Sequence, residues 1–181
     1  DTNNIRRKAQ WLYRYKNSAN ENIRGNVNSR LQKLQASKWH GAIFAAAGLE
    51  RLLLTPKETG PQLTLDWMLP APAQSAVVLV CRKDDAHALA VSEKLNDRNT
   101  EICTGIERDF LRLMHGGCST PISAFASASG DRINLKVNIT SVSGSQSISA
   151  ELNTLFSNAG SLAAETAKEI ISKGGKELLK A

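Results

Sequence analysis

The sequence predicts an α/β chain: a doubly wound unit, then a small α+β domain with a three-stranded antiparallel sheet and helices on one face. Three observations carry this. Residues 42–47 and 76–81 are short runs that are apolar on both faces, as strands buried in a parallel sheet are. Stretches of helical periodicity alternate with them, as in a doubly wound fold. Beyond residue 130 the apolar residues recur every second position, the mark of a half-buried antiparallel strand.

Taken in order, residues 5–16 read as a helix, with Ile5, Ala9 and Leu12 on one face and Asn3 or Asn4 as N-cap. A polar turn from Asn17 to Asn22 follows, then a short extended piece from Ile23 to Gly25. A second helix carries Val27, Leu31 and Leu34 at i, i+4 and i+7. The first apolar strand is closed by Gly48, and a helical turn or two runs from Leu49 to Leu54. Residues 55–75 hold four of the five prolines (Pro56, Pro61, Pro70 and Pro72), which resist helix continuation and mark a connector. The second apolar strand leads into a helix over 85–95. Asn99 or Thr100 caps the next helix, which carries Ile102, Ile106, Phe110 and Leu113 and stops at Gly116-Gly117. Ile133, Leu135, Val137 and Ile139 then alternate with Asn134, Lys136, Asn138 and Thr140, and Ile148, Ala150 and Leu152 repeat the pattern. Gly130-Asp131 and Ser143-Gly144 supply the turns. A closing helix over 161–173 turns Leu162, Ala163, Ala167, Ile170 and Ile171 inward, with Gly174 as its C′ residue.

Composition narrows the function. The 181 residues are 41% hydrophobic and 22% charged, ordinary globular usage, so the chain can bury a core. The net charge of +6 favours acidic partners without choosing among them. Three cysteines, Cys81, Cys103 and Cys118, fall at irregular spacing with no CxxC pair, which argues against a disulfide framework and against a zinc site. Free thiols fit a reducing cytosol, so a cytoplasmic protein is expected. No apolar run approaches the roughly 20 residues of a membrane span. The chain starts on Asp1 without a methionine, and a natural segment upstream is expected.

Two features could carry chemistry. Arg6-Arg7 open the first helix, Arg24 precedes Gly25, and Arg30 lies in the first turn of the second helix. Cations there oppose the helix macrodipole. They read either as a solvated basic face or as guanidinium groups that hold anions together with free backbone N–H groups. The aromatic residues do not interleave with these cations as base-stacking platforms would, which argues against nucleic acid. The second feature is His115-Gly116-Gly117-Cys118-Ser119-Thr120-Pro121, a cysteine in a glycine-rich loop between a helix and a strand. Such a thiol is either structural or exposed for alkylation or nucleophilic attack. Cys81 and Cys103 read as buried structural cysteines. There is no Walker loop, GxGxxG or GxSxG motif.

Four blocks, in order and spacing, resemble the porphobilinogen deaminase (hydroxymethylbilane synthase) family: Arg6-Arg7-Lys8-Ala9-Gln10, Arg24-Gly25-Asn26-Val27-Asn28-Ser29-Arg30-Leu31, Ala45-Ala46-Ala47-Gly48-Leu49-Glu50-Arg51-Leu52 and Gly116-Gly117-Cys118-Ser119-Thr120-Pro121-Ile122. The similarity runs through essentially the whole chain. It implies a three-domain protein whose first two domains are α/β and periplasmic-binding-protein-like. On that template residues 1–68 are most of domain two, 69–98 are the crossover and return segment to domain one, and 99–181 are the cofactor-anchoring α+β domain three. Most of domain one, with the family's catalytic Asp in a Lys-Asp motif, lies upstream of Asp1, so no catalytic residue is assigned in this chain.

The resemblance also implies a transferase of tetrapyrrole (porphyrin, haem) biosynthesis. Its cofactor is a dipyrromethane on a thioether to Cys118. Porphobilinogen loses ammonia to an azafulvene, which the bound pyrrole attacks; four condensations give hydroxymethylbilane. Arg6, Arg7, Arg24 and Arg30, with Thr2, Asn4, Ala47 and Gly48, match positions that hold the cofactor and the substrate. The implied partners are porphobilinogen and polypyrrole intermediates, with no nucleic acid, membrane or metal, and a monomer is expected. The alternative is a non-catalytic anion- or nucleic-acid-binding module on the same fold. Two departures stand out. The family's Gly-Thr-Ser-Ser is Asp1-Thr2-Asn3-Asn4 here, and its Gly-Gln-Gly-Ala interdomain turn is Ala73-Gln74-Ser75-Ala76.

Overall fold

The computed structural model describes residues 4–54, 56–117 and 120–179, and it divides the chain into two units. One comprises Asp1–Met68 with Thr140–Ser147, the other Leu69–Ile139 with Ile148–Ala181.

The first unit is helical. Helix α1 (Ile5–Arg14) starts where Asn4 Oδ1 accepts the Arg7 amide at 3.1 Å, one of the two caps the sequence offers. Helix α2 (Val27–Ala36) starts where Asn26 Oδ1 accepts the Ser29 amide at 2.9 Å. Gly25 precedes that cap with φ +119°, and a Cβ there would stand 3.0 Å from Ser29 Cβ, so the turn needs glycine. Short helices α3 (Ala46–Arg51) and α4 (Pro56–Thr59) follow. Among the described residues, Ala9, Ile23, Leu31 and Leu49 are the buried apolar residues of this unit, a thin core.

The second unit holds the main core. Helix α5 (Ala86–Glu93) is capped by Asp85, and helix α6 (Arg98–Leu113) by Asp97, whose side chain accepts the Thr100 amide at 2.7 Å. Asp97 thus takes the place expected of Asn99 or Thr100, because a carboxylate facing the first free amides also complements the helix dipole. Strands β1 (Ile122–Ser129), β2 (Arg132–Thr140) and β3 (Ser147–Leu155) form a sheet in the order β1-β2-β3. β1 and β2 are antiparallel with Ile122 opposite Ile139 and Ser129 opposite Arg132. Between β2 and β3, Asn134 meets Glu151 and Asn138 meets Ser149, so that pair is antiparallel too. Ile133, Leu135, Val137 and Ile139 are fully buried on one face, while Lys136 on the other pairs with Glu151.

Helix α7 (Ala159–Ser172), entered through a 3-10 turn at Phe156–Asn158, and helix α6 pack together. Phe110, Met114, Leu162 and Ile170 thereby close the core over the sheet's apolar face. The expected three-stranded antiparallel sheet with helices on one face is present. Gly174 takes φ +88° after α7, ahead of the short helix α8 (Gly175–Leu178).

Several expectations are corrected. Residues 42–47 are not a buried strand: 42–45 lie outside regular structure, 46 and 47 open α3, and Ala45, Ala46 and Ala47 are exposed. Residues 76–81 form no strand either, and Val77 and Val80 are 82% and 89% exposed. The physical reason is shared. A strand exists through hydrogen bonds to neighbouring strands, and among the described residues every strand lies between 122 and 155. Cys81, at the end of the second run, is accordingly exposed, not buried, whereas Cys103 is buried in the α6 face of the core. Leu113 and Ile171, expected inward, sit at the solvent edges of their helices, 43% and 37% exposed. No helix among the described residues is long and apolar enough to cross a membrane.

Candidate functional site

Helices α1 and α2 position the arginines. Neither has an acidic residue in its first turn. Arg6 lies on the buried face of α1, 8% exposed. Arg7, one residue on, is half-buried. Its guanidinium is held below the ordinary arginine range, first by burial and second by the charge of Arg30. Arg30 is lowered by burial. The charge of Arg30 thus acts on Arg7, and both stay charged because arginine does not titrate in the accessible range.

No acidic side chain pairs with Arg7 or Arg30 among the described residues. Arg30 Nη2 donates to the Ile43 carbonyl at 2.9 Å, and the guanidinium lies over the Phe44 ring, 4.5 Å from its centroid. Arg30 Nε is buried and has no partner. A buried donor left unmet costs about 1–3 kcal/mol, and such a group is completed by a water, an ion or a ligand. A partly desolvated guanidinium with an unmet N–H suits a carboxylate-bearing ligand.

Arg24 is exposed on the turn before α2, and its backbone carbonyl accepts Lys33 Nζ at 2.9 Å. Asn4 is committed to capping α1. Ala47 and Gly48 lie in the first turn of α3, where a Cβ on Gly48 would stand 3.6 Å from Val27 Cγ2. That contact sets the start of α3 beside the start of α2. The structure thus seats Arg30 on the segment before α3 and sets Gly48 against α2, while among the described residues Arg24 makes no hydrogen bond to Arg7 or Arg30. Ile43 and Phe44, which hold Arg30, are not legible from sequence because they sit inside the run that reads as a strand.

Thr2 and Cys118 lie outside the described residues. The residues flanking Cys118 in sequence are well fixed. Gly116 packs so closely that a Cβ would come within 2.5 Å of Ile122 Cδ1 and 2.6 Å of Leu111 Cδ1. Thr120 Oγ1 accepts from the Gly117 amide at 2.9 Å and donates to the Gly117 carbonyl at 2.6 Å. Among the described residues no cluster of three or more His, Cys, Asp or Glu could hold a metal.

Comparison with known proteins places the chain in a family of enzymes. The model described as porphobilinogen deaminase, dipyromethane cofactor binding domain, matches residues 1–90, and that described as porphobilinogen deaminase, C-terminal domain, matches residues 101–180. Among curated relatives, the porphobilinogen deaminase of Macrococcus caseolyticus is 40% identical over 80% of this chain and 47% of its own length. Those of an Exiguobacterium strain and of Trichlorobacter lovleyi are 33% and 36% identical over 98% of this chain, and 58% and 57% of their own lengths. The chain belongs to the porphobilinogen deaminase family. It spans about half the length of the relatives it matches. The cofactor-binding description falls on the unit that carries Arg6, Arg7, Arg24 and Arg30, and Cys118 falls in the C-terminal model.

Proposed function

We propose that this chain is the C-terminal portion of a porphobilinogen deaminase, a cytoplasmic transferase of haem and tetrapyrrole biosynthesis. In it, Cys118 anchors a dipyrromethane, and Arg6, Arg7, Arg24 and Arg30 hold the acetate and propionate groups of cofactor and substrate. The observation that carries this reading is Arg30, partly buried, with an Nε that no described group meets and no acidic partner among the described residues, inside the stretch that matches the cofactor-binding model. The free, buried Arg30 Nε fits a polycarboxylate better than a solvated basic face, whose donors would face water.

When bound, the dipyrromethane would supply the free pyrrole α-carbon to which four porphobilinogen units are added, each with loss of one ammonia, before hydrolysis by one water frees the four added rings as hydroxymethylbilane and leaves the dipyrromethane on the thiol. This chain's residues bind and orient. Arg7 and Arg30 receive carboxylates in a partly desolvated setting, where charge-assisted hydrogen bonds are strongest. Thr2, Asn4 and the backbone at Ala47 and Gly48 complete the proposed set. Residues 1–68 act as domain two, 69–98 as crossover and return segment, and 99–181 as the anchoring domain. The exposed run from Val77 to Val80 supports the second assignment, since an extended apolar segment without strand neighbours suits completion by another part of a longer protein. No group in this chain is assigned the proton transfers of the condensation, so the 181 residues alone are expected to be inactive. The longer protein is proposed to be monomeric, with neither nucleic acid nor membrane as partner.

Intact mass spectrometry of the longer protein tests the anchor. The expected result is the mass of one covalent dipyrrole on the wild type and none on Cys118→Ser. Equal masses, apart from the substitution, would remove the cofactor assignment.

A further inference from the structure

Arg30 is held unusually for a charged side chain in partial burial. A protein commonly offsets a partly buried guanidinium with a carboxylate. Here the groups that touch Arg30 are neutral: the Ile43 carbonyl at Nη2, 2.9 Å away, and the face of the Phe44 ring, 4.5 Å from centroid to guanidinium carbon. Both come from residues 42–45, the irregular segment that leads into α3.

A ring face attracts a cation through its quadrupole without neutralising it. Guanidinium donors lie in the plane of the group. An acidic neighbour would occupy those donors and compete with any incoming carboxylate. An aromatic ring draws on the charge and uses no N–H, and Nε remains without a partner.

We propose that Phe44 is a positioning residue that holds Arg30 for a carboxylate-bearing ligand, standing where an acidic side chain would compete with that ligand. The inference rests on the reading that Arg30 binds carboxylates. Phe44 then touches no reacting atom. It acts through Arg30 alone, and its contribution vanishes when Arg30 is absent.

A double-mutant cycle on the longer protein tests this. The probe is a pyrrole bearing acetate and propionate groups but no aminomethyl leaving group, so it binds without reacting, and its affinity is read by titration calorimetry. Phe44→Leu is expected to weaken binding about three- to tenfold, the range of a half-desolvated cation–π contact. Phe44→Tyr, which keeps the ring, should stay within about twofold of wild type. In an Arg30→Ala background, Phe44→Leu should add no further loss. Steady-state kinetics should show the same factor in KM for porphobilinogen, with kcat little changed. Phe44→Met serves in place of the leucine variant if that one does not fold. Wild-type affinity in Phe44→Leu alongside weakened binding in Arg30→Ala overturns the role of Phe44 and leaves the carboxylate reading standing. An equal loss from Phe44→Leu in both backgrounds also overturns it, since it shows a merely structural ring. Unchanged affinity in Arg30→Ala removes the carboxylate reading itself.

Discussion

Glu107 shows how much one buried side chain can organise. It lies on α6, 5% exposed, and its two carboxylate oxygens accept from two different segments: Oε2 from the Ala73 amide at 2.5 Å and Oε1 from the Ala126 amide at 2.7 Å. One carboxyl thus ties the connector and strand β1 to the helix. Burial holds it above the ordinary carboxylate range, and the two amide donors pull the other way without cancelling that effect. A folded carboxyl that keeps its proton to higher pH than the unfolded chain does makes the folded state bind more protons between the two values. Stability therefore falls as pH rises from the unfolded value, about 4.3, through the raised folded value. Glu107→Gln should flatten that slope. It should also cost about 1–2 kcal/mol, because an amide presents one acceptor oxygen to two buried donors. Chemical denaturation of both proteins across this pH range checks it, and an unchanged slope in the variant would exclude Glu107 as its origin.

At the scale of elements, turns carry most of the specificity. The β2–β3 turn is closed by the Gly144 amide on the Ser141 carbonyl at 2.8 Å. Gly144 has φ +72°, and a Cβ there would meet Leu12 Cβ at 2.5 Å and the Tyr13 amide nitrogen at 2.7 Å. The hairpin tip thus rests on the backbone of α1, the helix that carries Arg6 and Arg7. Gly144→Ala should destabilise by about 1–3 kcal/mol through overpacking, beyond the backbone strain that any left-handed alanine bears. Gly130→Ala is the control: φ is +58° but the space is open, so backbone strain acts alone, about 1–2 kcal/mol. Equal losses in the two variants, by thermal or denaturant unfolding, would show that the contact with α1 contributes nothing. The connector shows the reverse economy. Ala73 and Ser75 take φ +57° and +77°, the left-handed region that favours glycine, at the two positions where the related family's turn has glycines. These side chains strain the turn, and the Ala73 amide bound to Glu107 helps to hold it there.

At the scale of the molecule, apolar surface is unevenly used. The α+β unit buries a continuous core, while Val77, Val78, Leu79 and Val80 are all at least 60% exposed. Contiguous exposed apolar residues in an extended segment favour association. Val78→Lys should reduce concentration-dependent self-association of the 181-residue chain, read by sedimentation velocity. It should change folding stability by no more than about 0.5 kcal/mol, because the side chain is already in water. Self-association as strong as in wild type would show that this segment is not its cause.

The sequence by itself determined the local grammar: the apolar faces of the first two helices, the turns at Gly130 and Gly144, the alternation through Ile133–Ile139, and the four blocks that mark the family. These depend on backbone conformation and side-chain period, which short segments carry within themselves. What only the tertiary structure decided is where a segment finds partners. Residues 42–47 and 76–81 announce apolar character, but a strand needs neighbours on its edges, and neither segment meets them among the described residues. The same holds for the site. Four arginines were legible as cations near helix starts, whereas the seating of Arg30 on Phe44 and the Ile43 carbonyl arises from chain segments more than ten residues apart. Long-range packing fixes such contacts, and no local period encodes them.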